Sequence, residues 1–297
     1  MLSVVIPTLG RSAVLPDVLR RLREQDGAPE HEVVVVVDAA GDLPEEAPAD
    51  TVVVAARDGA SAARNEGIRR ARGEVVLFLG DDVLASPRLL AEHALWHTRL
   101  PAEHVAVLGL VVRPGRGSAF ERWLDRGIQS DYGAIQGDRA GWGQFYTTNV
   151  SVKKTFLERV GGFDEDLPFL YEDLDLGRRL HDEGLDLRFE PRARAVHDHP
   201  ATLEDWERRM RAIGAAERAF VAKHPDVAPY FRDRLSRAAA GPPARGRGAR
   251  LARLVGPRFP VLGPRAWASA EAHYAQRLWP AFREGWDEGG LTPPRSG

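Results

Sequence analysis

Apolar positions follow two rhythms along the first hundred residues. Short unbroken runs, Ser3–Ile6, Glu32–Val37 and Val75–Leu79, lack polar alternation and predict strands buried on both faces. Thr51–Val54 predicts a further strand. Between them the spacing changes to three and four. Val14, Leu15, Val18, Leu19 and Leu22 mark one amphipathic helix, and Ala62, Ala63, Ile68 and Ala71 mark a second over Ser61–Arg72, stopped by Gly73. Strands alternating with helices in this way predict an α/β fold, a mostly parallel central sheet with flanking helices.

The pattern continues less evenly. A helix is expected over Ser86–Arg99, a strand over Val105–Val112, a strand over Thr147–Val152, and helices over Lys153–Val160 and Glu172–Glu183, the last closed by Gly184. Gly115–Tyr146 holds Gly and aromatic residues with few periodic runs, which marks a functional segment or misread elements. Thr202–His224 is helical again. The chain then enters "GPPARGRGARLARLVGPR", where Arg245, Arg247, Arg250, Arg253 and Arg258 occur without an acid. A final helix over Ala266–Trp286 places Trp267, Ala270, Tyr274, Leu278 and Phe282 on one stripe. The expected division is a domain over 1–224, with halves at about 1–112 and 113–224, and a helical C-terminal extension with an Arg-rich linker over 225–297.

Composition narrows the classes. With 297 residues, 43% of them hydrophobic, the chain can bury a full core, and a net charge of -2 provides no global field for nucleic acid. The absence of cysteine removes disulfide and thiolate chemistry. The opening "MLSVVIPTLG" has no basic leader and reads as a first strand, so a cytoplasmic location is expected, with peripheral membrane contact through the arginine arm as an open alternative. The final stripe has a competing reading, packing on the preceding domain or on a second subunit.

The candidate chemistry sits at strand ends. In open α/β sheets ligands bind beyond the carboxyl ends of the strands, so Thr8, Asp38 and Asp81-Asp82 are expected to converge on one crevice. A solvated acidic turn would look the same in sequence. The alternative is that Asp82 holds a hard cation, Mn²⁺ or Mg²⁺, against a nucleotide diphosphate. A second acidic cluster, Glu172, Asp173 and Asp175, opens a helix. There the acids either complement the helix dipole or include a general base for a hydroxyl nucleophile. Trp142, flanked by glycines, is a candidate acceptor platform, whereas Trp123 is assigned to the core and His93, His97 and His104 to surface or satisfied packing.

"VVIPTLGR", Asp38 after "EVVVVV", "GASAARNEGIRRARGEVVLFLGDDV" and "TTNVSVKKTFLERVGGFDEDLPFLYEDLDLGRRLHDEG", in this order, resemble the family-two glycosyltransferases of GT-A fold over about Leu2–Phe220. The resemblance implies an inverting, metal-assisted transfer of a sugar from a nucleotide-diphosphate donor, a UDP-sugar foremost, to a glycan, lipid-linked or small-molecule acceptor. It matches Pro7, Thr8 and Arg11 to the nucleotide pocket, Asp38 to the acid on the base, and Arg64 and Asn65 to a segment near the nucleotide. Asp81 is matched to the ribose or donor sugar, Asp82 and His197 to the metal, with His199 as a substitute. Asp173 is matched to the catalytic base, Glu172 to acceptor positioning, and Arg179 with Leu180 to the rest of that motif.

Three positions depart from the family pattern: Gly80 stands for the first acid of the metal motif, Ala39-Ala40 follow Asp38, and Thr147 precedes Thr148-Asn149 where Gly is usual. Two other functions remain in view. A sugar-nucleotide nucleotidyltransferase expects a Gly-rich basic phosphate loop after the first strand, of which "PTLGRS" is a poor version. A non-catalytic nucleotide-sugar or glycan-binding module would not require Asp173.

Overall fold

A computed structural model of the chain describes residues 1–42, 49–114, 118–125, 127–167, 170–241 and 264–288. The arginine arm, Arg245–Arg258, lies outside the described residues, as does the side chain of Trp267. The chain divides into two compact units, one of residues 1–114, 132–166 and 172–199, the other of 115–131, 167–171 and 200–297.

The first unit is built on one eight-stranded sheet. Its strands are β1 (Leu2–Thr8), β2 (His31–Val37), β3 (Thr51–Val54), β4 (Val75–Leu79), β5 (Val83–Ala85), β6 (Val105–Val112), β7 (Asn149–Lys153) and β8 (Asp186–His197), in the order β3-β2-β1-β4-β7-β6-β8-β5. Four neighbouring pairs run parallel and three antiparallel. Because side chains alternate across a strand, an unbroken apolar run supplies both faces at once. Val34 and Val36 pack on one side with Val5, Phe78 and Val150, while Val33 and Val35 pack on the other with Val4, Ile6 and Leu77. The first face is covered by α2 (Ala60–Arg70), α5 (Lys154–Arg159) and α6 (Glu172–Asp182). The second is covered by α1 (Leu15–Arg23) and α3 (Leu89–Arg99).

The predicted strands and helices of this unit are present within a few residues of their expected limits. Two strands were not legible. β5 has three residues. β8 interrupts its apolar positions with Arg188, Pro191, Arg192 and Arg194, and its parallel register with β6 slips between Gly109↔Glu190 and Leu110↔Arg194, leaving Pro191–Ala193 as a bulge.

The second unit is helical: α4 (Ala119–Leu124), α7 (Leu203–Lys223), α8 (Tyr230–Ala239) and α9 (Pro264–Glu288). α4 lies inside the stretch that showed few periodic runs, and its start is fixed by Ser118 and Glu121, each bonding the other's backbone N–H. On α9, Ala270, Tyr274, Leu278 and Phe282 are buried. The Tyr274 ring lies 5.2 Å from Phe120 and 5.0 Å from Trp123, so the described part of the stripe packs within its own unit and Trp123 is core as expected. α7 and α9 cross at glycines: a Cβ on Gly285 would fall 1.8 Å from the Arg211 carbonyl oxygen, and one on Gly214 2.1 Å from that of Phe282. Among the described residues no helix is long and apolar enough to cross a membrane.

Candidate active site

The order β2-β1-β4 sets three strand ends side by side, and hydrogen bonds tie them together. Asp38 N–H donates to the Thr8 carbonyl at 2.8 Å, and the Thr8 hydroxyl donates to Asp81 Oδ2 at 2.5 Å. Ser12, which the sequence reading did not single out, donates its hydroxyl to the Asp81 carbonyl at 3.0 Å. Asp38 uses both carboxylate oxygens on backbone, accepting from Ala40 N at 2.9 Å and from Gly59 N, just before α2, at 2.7 Å. Arg11 lies on the exposed loop after β1, ion-paired with Asp42 at 2.9 Å, and Pro7 is the penultimate residue of β1.

The two acids after β4 are driven in opposite directions. Burial pushes Asp81 up, the Thr8 hydroxyl pulls it back and the charge of Asp82 adds to the rise; the net direction is upward. Burial also pushes Asp82 up, but the hydrogen bond and charge of His197 with the charge of His199 outweigh it and hold the carboxyl below its ordinary value. His197 Nε2 stands 3.0 Å from Asp82 Oδ2, positioned because it ends β8 opposite Val83 of β5, and Asp198 N donates to the Asp82 carbonyl at 2.9 Å. The His199 ring stacks on that of His197 at 6.1 Å.

Gly80 is explained by space. A Cβ there would lie 2.8 Å from Val83 Cγ2 and 3.1 Å from Asp82 Oδ1, so a first acid at this position would crowd the second. Among the described residues no three His, Cys, Asp or Glu side chains gather as a metal cluster. The Asp82 carboxylate is the oxygen ligand that Mn²⁺ and Mg²⁺ take, and His197 would join it only with Nε2 deprotonated; such ions take few protein ligands when water and phosphate oxygens supply the others.

The second acidic group reaches the same edge of the sheet. β7 begins opposite the end of β4, with Asn149 paired to Leu79, so Thr147 lies beside the Gly80–Asp82 turn. Backbone N–H groups of Thr147 and Leu174 bond Asp173, the latter at 2.9 Å. Burial and the charge of Glu172 push Asp173 up to about 7, opposed by Arg64. Glu172 is itself buried and accepts from Arg64 Nη1 at 2.8 Å.

Adjacent residues of α2 grip two parts of this region. Arg64 holds Glu172. Asn65 donates to the Phe163 carbonyl at 2.9 Å and to Glu165 Oε1 at 2.8 Å, and accepts from Phe163 N at 2.8 Å. Arg179 fastens α6 to the same loop, donating to Asp175 at 2.8 Å, to Val160 O at 2.8 Å and to Gly162 O at 2.7 Å. Trp142, on a 3-10 turn at Trp142–Gln144 that packs along α6, is half-buried with the Arg178 guanidinium 6.0 Å from its ring centre.

A buried polar chain behind the sheet was missed as a unit. Asn149 Oδ1 can only accept, so His93 Nε2 donates to it at 2.9 Å. Neutral His93 then accepts at Nδ1 from the Ser151 hydroxyl at 2.8 Å, and Ser151 accepts from His97 Nε2 at 2.8 Å. Asn149 Nδ2 reaches the Ala193 carbonyl in the β8 bulge at 2.8 Å. Burial lowers His93 to about 4 and His97 to about 3, so both rings are neutral. The signal was present: His93 and His97 are one helical turn apart, and Asn149 and Ser151 share one strand face.

Residues 3–148 match the model of glycosyl transferase family 2. A validoxylamine A glucosyltransferase of Streptomyces hygroscopicus subsp. limoneus is 30% identical over 271 residues, covering 77% of this chain and 58% of that protein. An uncharacterized glycosyltransferase of Bacillus subtilis (strain 168) is 27% identical over 260 residues, covering 68% of this chain and 66% of its own. The chain thus spans 58% to 66% of the length of these relatives. Among solved structures, a mannosyltransferase of Pyrobaculum calidifontis in complex with GDP-Man and Mn²⁺ superposes with a TM-score of 0.59 at 22% identity, covering 97% of this chain and 87% of that one. TarS of S. aureus in complex with UDP gives 0.51 at 18% identity, covering 96% and 91%. At these identities the likeness shows the fold, that of the GT-A glycosyltransferases.

Proposed function

The chain belongs to glycosyl transferase family 2, and on that premise we propose that it moves a sugar from a nucleotide-diphosphate donor to a hydroxyl acceptor with inversion. The observation that carries this reading is the Asp173 carboxyl, at the head of α6, bonded to the Thr147 N–H where β7 meets the end of β4 and with its proton affinity raised to about 7. A base must accept a proton near neutral pH, and a carboxyl at its ordinary value would hold one poorly. Asp173 removes the acceptor hydroxyl proton as that oxygen forms its bond to the anomeric carbon. The bond from that carbon to the diphosphate oxygen breaks on the opposite face, and the electron pair leaves with the diphosphate.

In this reading Pro7, Thr8, Arg11, Asp38 and Asp81 line the donor side. Arg64 and Asn65 support it from α2, and Glu172 with Trp142 faces the acceptor. Asp82, with His197, would hold Mn²⁺ or Mg²⁺, which would supply Lewis-acid neutralisation of the diphosphate. The acceptor is a glycan, a lipid-linked sugar or a small molecule; a relative named for validoxylamine A supports the small-molecule class. The arginine arm offers peripheral contact with an anionic membrane.

A panel of nucleotide sugars tested by thermal shift with and without Mn²⁺ examines this function, because a ligand raises the melting temperature with its saturation. At least one donor should stabilise the protein more with Mn²⁺ than without, and Asp82→Ala should abolish the difference. A panel with no stabilising donor would refute the donor class.

A further inference from the structure

We propose that Arg64 is a positioning residue for the acid at the head of α6: it fixes Glu172 in a buried ion pair and sets a positive charge against which Asp173 holds its negative one. The inference rests on the reading of Asp173 as the base. Arg64 and Glu172 side chains are 10% and 4% exposed and 2.8 Å apart, so this is no surface pair held loosely by solvent. The guanidinium lies 5.4 Å from the Phe163 ring centre, and its buried Nε has no hydrogen-bond partner. The side chain is thus held by Glu172 and packed on Phe163, with one buried donor left over. What it does achieve is electrostatic.

Among the groups that shift Asp173, the charged ones are Glu172 on its own helix and Arg64 from α2, and the backbone N–H groups of Leu174 and Thr147 bond it. Burial and Glu172 both favour the protonated carboxyl; Arg64 is the opposing side chain. Two carboxyl groups adjoin at the start of α6, and the one cation beside them opposes the rise that burial and Glu172 impose on Asp173. Without it, Asp173 would hold its proton at neutral pH and could accept none from an alcohol.

The test titrates Asp173 directly in the full chain labelled with ¹³C-aspartate, the signal being identified by its loss in Asp173→Asn. In Arg64→Gln the midpoint should rise by at least about one pH unit, as expected for loss of a neighbouring opposite charge, and Arg64→Lys should restore part of it. An unmoved midpoint in folded Arg64→Gln overturns the proposal. If that variant does not fold, the comparison is Glu172→Gln with Arg64→Gln/Glu172→Gln, where Glu172 is no longer a buried carboxylate stripped of its arginine. The midpoint should again be higher without the arginine, and equal midpoints overturn the proposal. In turnover, Arg64→Gln should lose kcat at neutral pH and regain it in alkali at constant donor KM. A raised KM with an unmoved pH limb would make Arg64 a donor contact instead. Failure of the catalytic reading is separate: Asp173 would titrate as described, yet Asp173→Asn would turn over normally.

Discussion

Replacing Asp173 by Asn should make the protein more stable, and increasingly so as the pH rises. An aspartate raised in the folded state from its ordinary value of 3.8 to about 7 takes up a proton on folding between those limits. The sign follows. Below 3.8 both states are protonated and the group is neutral to stability. Through the window stability falls, and above about 7 the full penalty of an ionised, half-buried carboxyl is present. The span is roughly three pKa units, and at about 1.4 kcal/mol per unit the ceiling is about 4 kcal/mol. Asparagine keeps an oxygen that can accept from Leu174 N and has no charge to bury. Urea melts of wild type and Asp173→Asn at pH 5 and pH 8 measure the gap. It should favour the variant by a few kcal/mol at pH 8 and by clearly less at pH 5. An equal gap at both values, or a variant less stable at pH 8, would refute the electrostatic account of this site. The same titration governs rate: about a tenth of molecules carry the ionised base one unit below the midpoint, so kcat should fall as pH drops through about 7.

The buried histidines give the opposite slope. His93 and His97, lowered to about 4 and about 3, contribute stability above 6.5 that is lost as pH falls toward those values. Acid titration of unfolding should show uptake of up to two protons in that range, and His97→Gln should remove one; an unchanged slope would contradict the assignment. Gly285→Ala should destabilise by about 1–3 kcal/mol because the α7–α9 crossing has no room for a methyl, checked by thermal melting. Co-sedimentation with anionic vesicles at low salt, lost on replacing Arg245, Arg247, Arg250, Arg253 and Arg258 by Ser, is expected if the arginine arm meets a membrane; no binding ends that proposal.

The parts of this molecule that were legible are those where one short stretch sets its own environment. β1, β2 and β4 each need both faces covered, and an unbroken apolar run records that need locally. Chain order and periodicity were therefore enough to place Thr8, Asp38 and Asp81 at adjoining strand ends. Asp173 was found as an acid at a helix start, but the partner that distinguishes it from a dipole-complementing acid, Arg64, lies more than a hundred residues earlier, and no spacing rule connects them.

His197 shows where local reading stops. It faces Asp82 because β8 regains pairing after its bulge, with Leu110↔Arg194 and Val83↔His197 as the restored registers. Since side chains alternate along a strand, the number of residues in the bulge decides which face His197 presents. That count depends on what fills the space. Asn149 Nδ2 bonds the Ala193 carbonyl, and Gly109 supplies clearance, since a Cβ there would lie 2.1 Å from Asn149 Nδ2. Asn149 is in turn held by His93, itself bonded to Ser151. The orientation of a candidate metal ligand thus depends on a buried chain of neutral polar groups from α3, β7 and β6. In sequence, β8 shows a proline and several arginines breaking up its apolar positions.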